Sequence, residues 1–313
     1  MNFSESITHN AGTRIKSFLI KTLLALLSII PFPLLASLLR GLSRLAYRIG
    51  LRRRVVMVNL RAALGDNVSK EEREKIALGC YVEFGQTIAE VLKPGYLIKH
   101  GRELFRVSGV EHLDGELEKE KGLVILTGHI SNYISPGYLF KHLGYRIHVV
   151  SKHLQNDSAD RAFTRFYEKH GPRLIKITGH KNDPAGGFKI LRTLKRGEVV
   201  VILNDQDAGT QGYRSTFFGL PTFIPSGPAS FIFKSKGSVI TSFASRKNGK
   251  IVISFQPPID YSAAKSAEDA GRIIFDEYTR RLEEKVRENP EQYFWLHKKW
   301  KSLPEIKAQY SGN

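Results

Sequence analysis

A chain of 313 residues with 42% hydrophobic and 25% charged side chains has enough apolar material for one large core or two modest ones, which excludes disorder for most of it. Its one cysteine, Cys80, excludes an internal disulfide and a cysteine-rich zinc site. A formal net charge of +18 implies an anionic partner, and nucleic acid, acidic lipid and an acidic carrier protein all fit that sign.

The N-terminal region narrows the choice. Residues 22–39, TLLALLSIIPFPLLASLL, are uncharged, follow Arg14, Lys16 and Lys21, and precede Arg40, Arg44, Arg48 and Arg52 to Arg54. The run is at the lower limit for crossing a bilayer, and Pro31 and Pro33 would break a straight helix near its middle. A single span and a re-entrant or interfacial anchor both fit, as does a hydrophobic helix packed on a domain core. No small-residue cleavage site closes the segment, so the reading is a retained anchor. Basic flanks suit an anionic membrane surface, each adding roughly 1 kcal/mol of attraction. Nucleic acid rests on charge alone and finds no supporting motif. The expected organisation is a membrane anchor with basic flanks over 1–48 and one α/β domain over 49–313.

Residues 34–64 read as helical. SKEEREKIALGCYVEFGQTIAEVL, 69–92, reads as an amphipathic helix, with Ser69 and Glu72 at capping-box spacing and Ile76, Cys80, Phe84 and Ile88 on one face. Pro94 and Gly95 end it. The texture then alternates: strands at 104–110, 122–127, 145–151, 198–204, 238–246 and 250–256, and helices at about 131–143, 157–170, 184–196 and 227–236. Val- and Ile-rich strands alternating with helices predict an α/β fold, a mostly parallel mixed sheet flanked by helices. The last two strands, joined by KNGK, form a hairpin in which Asn-Gly suits a type I′ turn. A helix over about 266–288 and the segment YFWLHKKW close the chain.

In such sheets ligands sit outside the carboxyl ends of the strands, and His129 lies two residues beyond the strand GLVILT. An imidazole with an ordinary pKa near 6.5 can accept a proton at neutral pH, so a general base fits there, and so does a structural histidine. A second strand, EVVVILN, runs into NDQDAG, where Asp205 and Asp207 could orient a histidine, bind a hydroxyl, hold a cation or simply make a turn. FFGLPTFIPSGPA, 217–229, combines aromatics, Pro and Gly before a helix, as an apolar wall or an anion-binding helix start.

Five segments in order, RVVMVNLRAAL with SKEEREKIA and TIAEVL, GLVILTGHISNY, LKRGEVVVILNDQDAG, TFFGLPTFIPSGPA and NPEQYFWLHKKWK, resemble the lipid A biosynthesis acyltransferases, of the lysophospholipid acyltransferase-like superfamily. The resemblance covers nearly all of the chain after residue 40. It implies a glycerolipid acyltransferase-like fold with an N-terminal hydrophobic anchor helix. It also implies a membrane-associated enzyme that moves a fatty acyl group from acyl carrier protein or acyl-CoA to a hydroxyl of a lipid A precursor or related glycolipid, without metal or organic cofactor. The implied place is the bacterial inner membrane, with the catalytic domain on the cytoplasmic side.

Members of that family carry a His-x4-acid motif, in which the carboxylate orients the histidine; here Ile134 stands at the acid position. Asp205, Asp207 and Glu90 are the candidate replacements, with Asn132 as a weaker orienter. The resemblance assigns oxyanion stabilisation to Arg165, with Arg161 second, and adds Gly128, Asn132, Arg161 and Gln206 as substrate-binding candidates. Trp295 and Trp300 beside Lys298, Lys299 and Lys301 suit a membrane interface or an aromatic core with a basic surface. The alternative that Ile134 suggests is a catalytically silent lipid-binding or scaffold protein.

Overall fold

A computed structural model describes residues 26–27, 29–154, 156–178 and 183–311. Residues 22–25 and 28 of the uncharged run lie outside the described residues. Phe32–Arg48 forms α1, with Pro31 at the N-cap and Pro33 in the first turn, where a missing N–H costs nothing. The two prolines start this helix, and a bend at Ile30 separates it from the helical residues 26, 27 and 29. No helix among the described residues is long and apolar enough to cross a membrane.

The helical stretch expected over 34–64 is two helices. Gly50 (φ 80°) and Arg52 (φ 57°) turn the chain between α1 and α2, Arg53–Leu64. In α3, Lys70–Val91, the capping box is reciprocal: the Glu72 N–H donates to Ser69 Oγ at 3.1 Å and the Ser69 N–H to Glu72 Oε2 at 3.0 Å. α1 lies close along α3 at Gly85, where a Cβ would stand 2.6 Å from the Leu39 carbonyl oxygen. Two short helices, α4 (Pro94–Lys99) and α5 (Gly101–Leu104), lead into β1, Phe105–Ser108.

After β1 come α6 (Val110–Leu117), β2 (Leu123–Thr127), α7 (Ser135–His142), β3 (Ile147–Lys152), α8 (Asp157–His170), β4 (Arg173–Ile177), α9 (Pro184–Leu194) and β5 (Val199–Leu203). A ribbon of β6 (Tyr213–Phe217) and β7 (Leu220–Ile224) follows, then α10 (Gly227–Ser235), β8 (Ser238–Lys247), β9 (Lys250–Phe255), α11 (Ala267–Glu288) and α12 (Pro304–Ser311). The main sheet runs β1-β9-β8-β2-β5-β3-β4. β8, β2, β5, β3 and β4 are parallel, and the β8–β9 hairpin reverses direction so that β9 and β1 oppose them. At its tip Asn248 (φ 50°) and Gly249 (φ 74°) both take positive φ, as a type I′ turn requires.

Both faces of the sheet are covered. Along β2, Val124 and Leu126 join a core built with α2, α3, α9 and α11, whereas Leu123 and Ile125 join a second core with Leu113, Tyr138 and Phe140. Burial on both faces explains why this strand is continuously apolar. Trp295 and Trp300 are fully buried in the first core, so the aromatic part of the C-terminal segment is interior packing and only some of its lysines reach solvent.

Two further features depart from the sequence expectation. β4 is a five-residue edge strand, RLIKI, too short and too charged to stand out. The β6–β7 ribbon lies where an apolar wall was expected; Pro221 sits within β7, and its turn places Phe218 (φ 54°) beside Gly219 (φ 73°). A phenylalanine in a left-handed turn position gives no turn signal.

Gly122 opens β2 at φ 76°, and a Cβ there would lie 2.2 Å from the Leu194 carbonyl oxygen. Gly122→Ala therefore costs on the order of 2 kcal/mol or more, read as a lower midpoint in urea unfolding.

Candidate active site

β2 and β5 pair in register from Leu123 opposite Val199 to Thr127 opposite Leu203. Continuing that register two residues past the sheet edge sets position 129 opposite position 205. His129 Nδ1 lies 2.6 Å from Asp205 Oδ1, and the His129 backbone N–H donates to Asp205 Oδ2 at 3.0 Å. One carboxylate thus holds both the ring and the main chain of the histidine.

Burial alone would raise the Asp205 carboxyl, but the His129 ring and the Lys299 ammonium outweigh it and hold it well below the usual carboxylate range. An ionised carboxylate only accepts hydrogen bonds, so Nδ1 is the ring nitrogen that donates to Asp205 and Nε2 is the one turned away from the acid. That nitrogen faces Gln206, whose Nε2 is 3.4 Å away. The Tyr133 ring stands edge-on to the imidazole at 4.7 Å between centroids, and burial followed by the Asp205 charge pushes its hydroxyl up to about 12.

Glycine precedes the histidine for a packing reason. A Cβ on Gly128 would lie 2.8 Å from Leu282 Cδ1 and 3.5 Å from the Asp205 carboxylate. The strand ends are also tied: Thr127 O accepts from the Asn204 N–H at 3.1 Å and from Tyr278 Oη at 2.7 Å.

The PEQYFW segment pairs with the histidine loop like a short antiparallel strand. Ser131 N–H donates to Gln292 O at 2.7 Å, Phe294 N–H to His129 O at 2.9 Å, and Ile130 bridges Tyr293. Behind the loop, Ser131 Oγ donates to Glu83 at 2.8 Å and Asn132 Nδ2 to Glu90 at 2.6 Å. Arg246 binds both acids, reaching Glu83 at 2.9 Å through Nε and Glu90 at 2.8 and 2.9 Å through its two terminal nitrogens.

The candidates named from the sequence fall into different places. His129, Asp205, Gly128 and Gln206 converge. Asp207 does not join them: its carboxylate accepts from the Gly209 N–H at 2.7 Å and from the Ser302 N–H and Oγ at 2.9 and 2.6 Å, clasping the loop to the C-terminal segment. Glu90 and Asn132 order the loop from within; the Asn132 oxygen accepts from the Ser135 N–H at 2.9 Å. Arg161 and Arg165 lie on α8 and are exposed. Arg161 donates to Ser158 Oγ, and Arg165 makes no hydrogen bond or ion pair among the described residues. Sequence reasoning passed over Arg246 and Glu83, since a single arginine in a strand and a single glutamate in a helix look like solvated charges.

An apolar groove of about 520 Å³ runs between α1, α3 and the C-terminal segment, lined by Leu39, Leu42, Tyr81, Phe84, Ile88 and Phe294 among others. Phe294 connects it to the site, with its ring 6.1 Å from that of His129. A larger recess, of about 710 Å³, lies at the amino-terminal edge of β3 to β5 and shares none of these residues. Chemically, the site offers an imidazole oriented by a carboxylate, with Nε2 facing Gln206 and an apolar groove reached through Phe294, which suits proton removal from a hydroxyl near a hydrocarbon chain.

The sequence pattern of the family described as bacterial lipid A biosynthesis acyltransferase matches residues 1–302. The phosphatidylinositol mannoside acyltransferase of Mycobacterium tuberculosis (strain ATCC 25618 / H37Rv) is 27% identical over 144 residues, a match that covers 45% of this chain and 45% of that protein. The lipid A biosynthesis lauroyltransferase of Escherichia coli (strain K12) is 24% identical over 294 residues, 88% of each chain. A solved 1-acyl-sn-glycerophosphate acyltransferase from Thermotoga maritima superposes with a TM-score of 0.39 at 12% identity, covering 78% of this chain and 96% of that one.

Arg246 is the shared cation of the buried Glu90 and the half-buried Glu83, so Arg246→Leu leaves both without it. The variant loses about 3 kcal/mol or more of stability, measured by chemical unfolding, whereas Arg161→Leu on the exposed face of α8 changes it by less than about 0.5 kcal/mol.

Proposed function

Since the chain belongs to the bacterial lipid A biosynthesis acyltransferase family, we propose that it transfers a fatty acyl group from an acyl thioester, carried by acyl carrier protein or coenzyme A, to a hydroxyl of a lipid A precursor or a related glycolipid. The observation that carries this reading is the contact of 2.6 Å between His129 Nδ1 and Asp205, because it supplies the acid that Ile134 does not. The silent-scaffold reading drew its argument from that missing acid, and loses it.

His129 Nε2 takes the proton from the acceptor hydroxyl as its oxygen attacks the thioester carbonyl. Asp205 stabilises the imidazolium that forms and keeps the ring in the correct tautomer. The tetrahedral intermediate then expels the thiolate, to which the imidazolium returns the proton. Gln206, beside Nε2, is placed to bind the incoming hydroxyl. The family resemblance assigns the developing oxyanion to Arg165, an exposed residue of α8, and a fork of fixed donors suits that charge. The acyl chain lies in the groove between α1 and α3, against Phe84 and Phe294.

Membrane association draws support from α1. Leu34, Leu38, Leu42, Leu45 and Ile49 follow one another at helical spacing and are between 46% and 71% exposed, while Leu35 and Ala36 are buried against α3. Arg40, Arg44 and Arg48 punctuate the same helix. Such a surface suits a helix lying in the headgroup region of an anionic leaflet, its groove open to lipid. We place the protein at the bacterial inner membrane with the catalytic domain on the cytoplasmic side, where acyl carrier protein and acyl-CoA are found.

Purified protein in detergent, given labelled acyl carrier protein or acyl-CoA with extracted lipid acceptors, transfers the label. His129→Ala reduces kcat by about 10³-fold or more, and Asp205→Asn by about 10²- to 10⁴-fold, the fold remaining intact by circular dichroism. Absence of transfer over a broad acceptor set, together with full complementation of a deletion by His129→Ala, would sink the enzymatic reading. A lipid lacking one acyl chain in the deletion strain, read by mass spectrometry, identifies the acceptor.

A further inference from the structure

Lys299 is the one charged side chain of the C-terminal segment that reaches the active pair. It follows Lys298 in an array that looks like basic surface, yet it is only 2% exposed. Its ammonium donates to the Asp205 carbonyl oxygen at 2.5 Å and stands 4.6 Å from the centroid of the Phe217 ring. Lysine is almost never fully buried unless something holds its charge. Here that is a carbonyl, a ring face and the nearby carboxylates. Lys299 does not touch the Asp205 carboxylate itself, whose two oxygens are occupied by the His129 N–H groups.

We propose that Lys299 is a positioning residue of the His129–Asp205 pair, gripping the Asp205 backbone from behind and supplying the counter-charge that leaves the histidine unprotonated at rest. The inference rests on the proposed role of His129 as the base. With Lys299 charged and Asp205 ionised, these two charges balance each other when His129 is neutral. A proton on His129 then adds a charge to the interior, so it is held only while the oxyanion is present to balance it. Without the ammonium, the buried carboxylate attracts a proton onto the imidazole at rest and the base is blocked.

The groups facing the pair from each packed element fit this account. Asp207, at the end of the same loop, is a second anion near Lys299. His297, from the C-terminal segment, is pushed down to about 4 by burial and by Lys301, and stays neutral. Tyr133, Tyr278 and Tyr293 are all pushed upward by burial and by Asp205, so none contributes charge near neutrality. Burial pushes Lys299 itself down to about 8 against the pull of Asp205 and Asp207, so it carries its proton at neutral pH.

The experiment uses the full chain in detergent with Lys299→Met and Lys299→Arg. Two quantities are measured against pH: kcat/KM for acyl transfer, and the ¹⁵N shift of the His129 ring, assigned by its loss in His129→Gln. In Lys299→Met the acid limb and the His129 midpoint both move up by about one pH unit, with kcat/KM down about 10-fold on the acid side of the limb, by less at neutral pH, and recovering as pH rises. Lys299→Arg keeps the wild-type limb. If Lys299→Met does not fold, Lys299→Gln provides the same neutral comparison. An unmoved or lowered midpoint in a folded neutral variant overturns the inference, even if overall activity has fallen. Absence of transfer by the wild type counts against the proposed activity, and the ring titration still decides the role of Lys299.

Discussion

The parallel register between β2 and β5 is the constraint on which the site depends. Parallel strands leave a sheet at the same edge, so residues equally far beyond the last paired rung arrive side by side. Thr127 opposite Leu203 therefore brings His129 to Asp205 with no help from the local sequence around the histidine. The rest of the architecture keeps this meeting in place. Tyr278 of α11 fastens the end of β2, the PEQYFW segment pairs with the loop, and Gly128 allows the close approach of Leu282 and the carboxylate.

Two buried polar systems share the work around that loop. In one, His129, Asp205 and Lys299 form a chain in which each charge has an opposite neighbour. In the other, Arg246 joins Glu83 and Glu90, which take hydrogen bonds from Ser131 and Asn132. The second system takes hold two and three residues beyond the histidine and never touches its ring. Buried ions of this kind add little net stability compared with apolar side chains, but they fix geometry, because each has few positions in which its charge is balanced. Ser131, at φ 48°, shows how tightly the loop is drawn over it.

Much of the fold was legible because it rests on short-range chemistry. The capping box at Ser69, the Asn-Gly turn and the apolar run of β2 each carry their own signal. The missed pieces, β4 and the β6–β7 ribbon, gain their structure from neighbours: an edge place beside β3 for the first, and packing of Phe217 against Tyr293 and Trp300 for the second. At the site, His129 and Asp205 were each visible as polar residues past a strand. Their pairing was not, since Asp207 stands only two residues further on and nothing local separates an acid that meets a histidine from one that clasps Ser302. Lys299 was hidden among lysines, because burial of a basic residue depends on what folds over it.

Ile134 has a consequence for how relatives of this kind are recognised. In the family pattern the histidine and its acid sit on one loop, five positions apart, whereas here the carboxylate that touches the histidine comes from a separate strand end, 76 positions on. A filter that demands the local spacing would set this chain aside as degenerate. A criterion built on the distance from an imidazole to any carboxylate at the adjacent strand end would keep it. With Asp205 beside the histidine at the end of β5, position 134 holds an isoleucine that packs against the second core. The same exchange could occur in any parallel sheet whose neighbouring strands run out in register, so homologous enzymes can share geometry after their motifs have diverged.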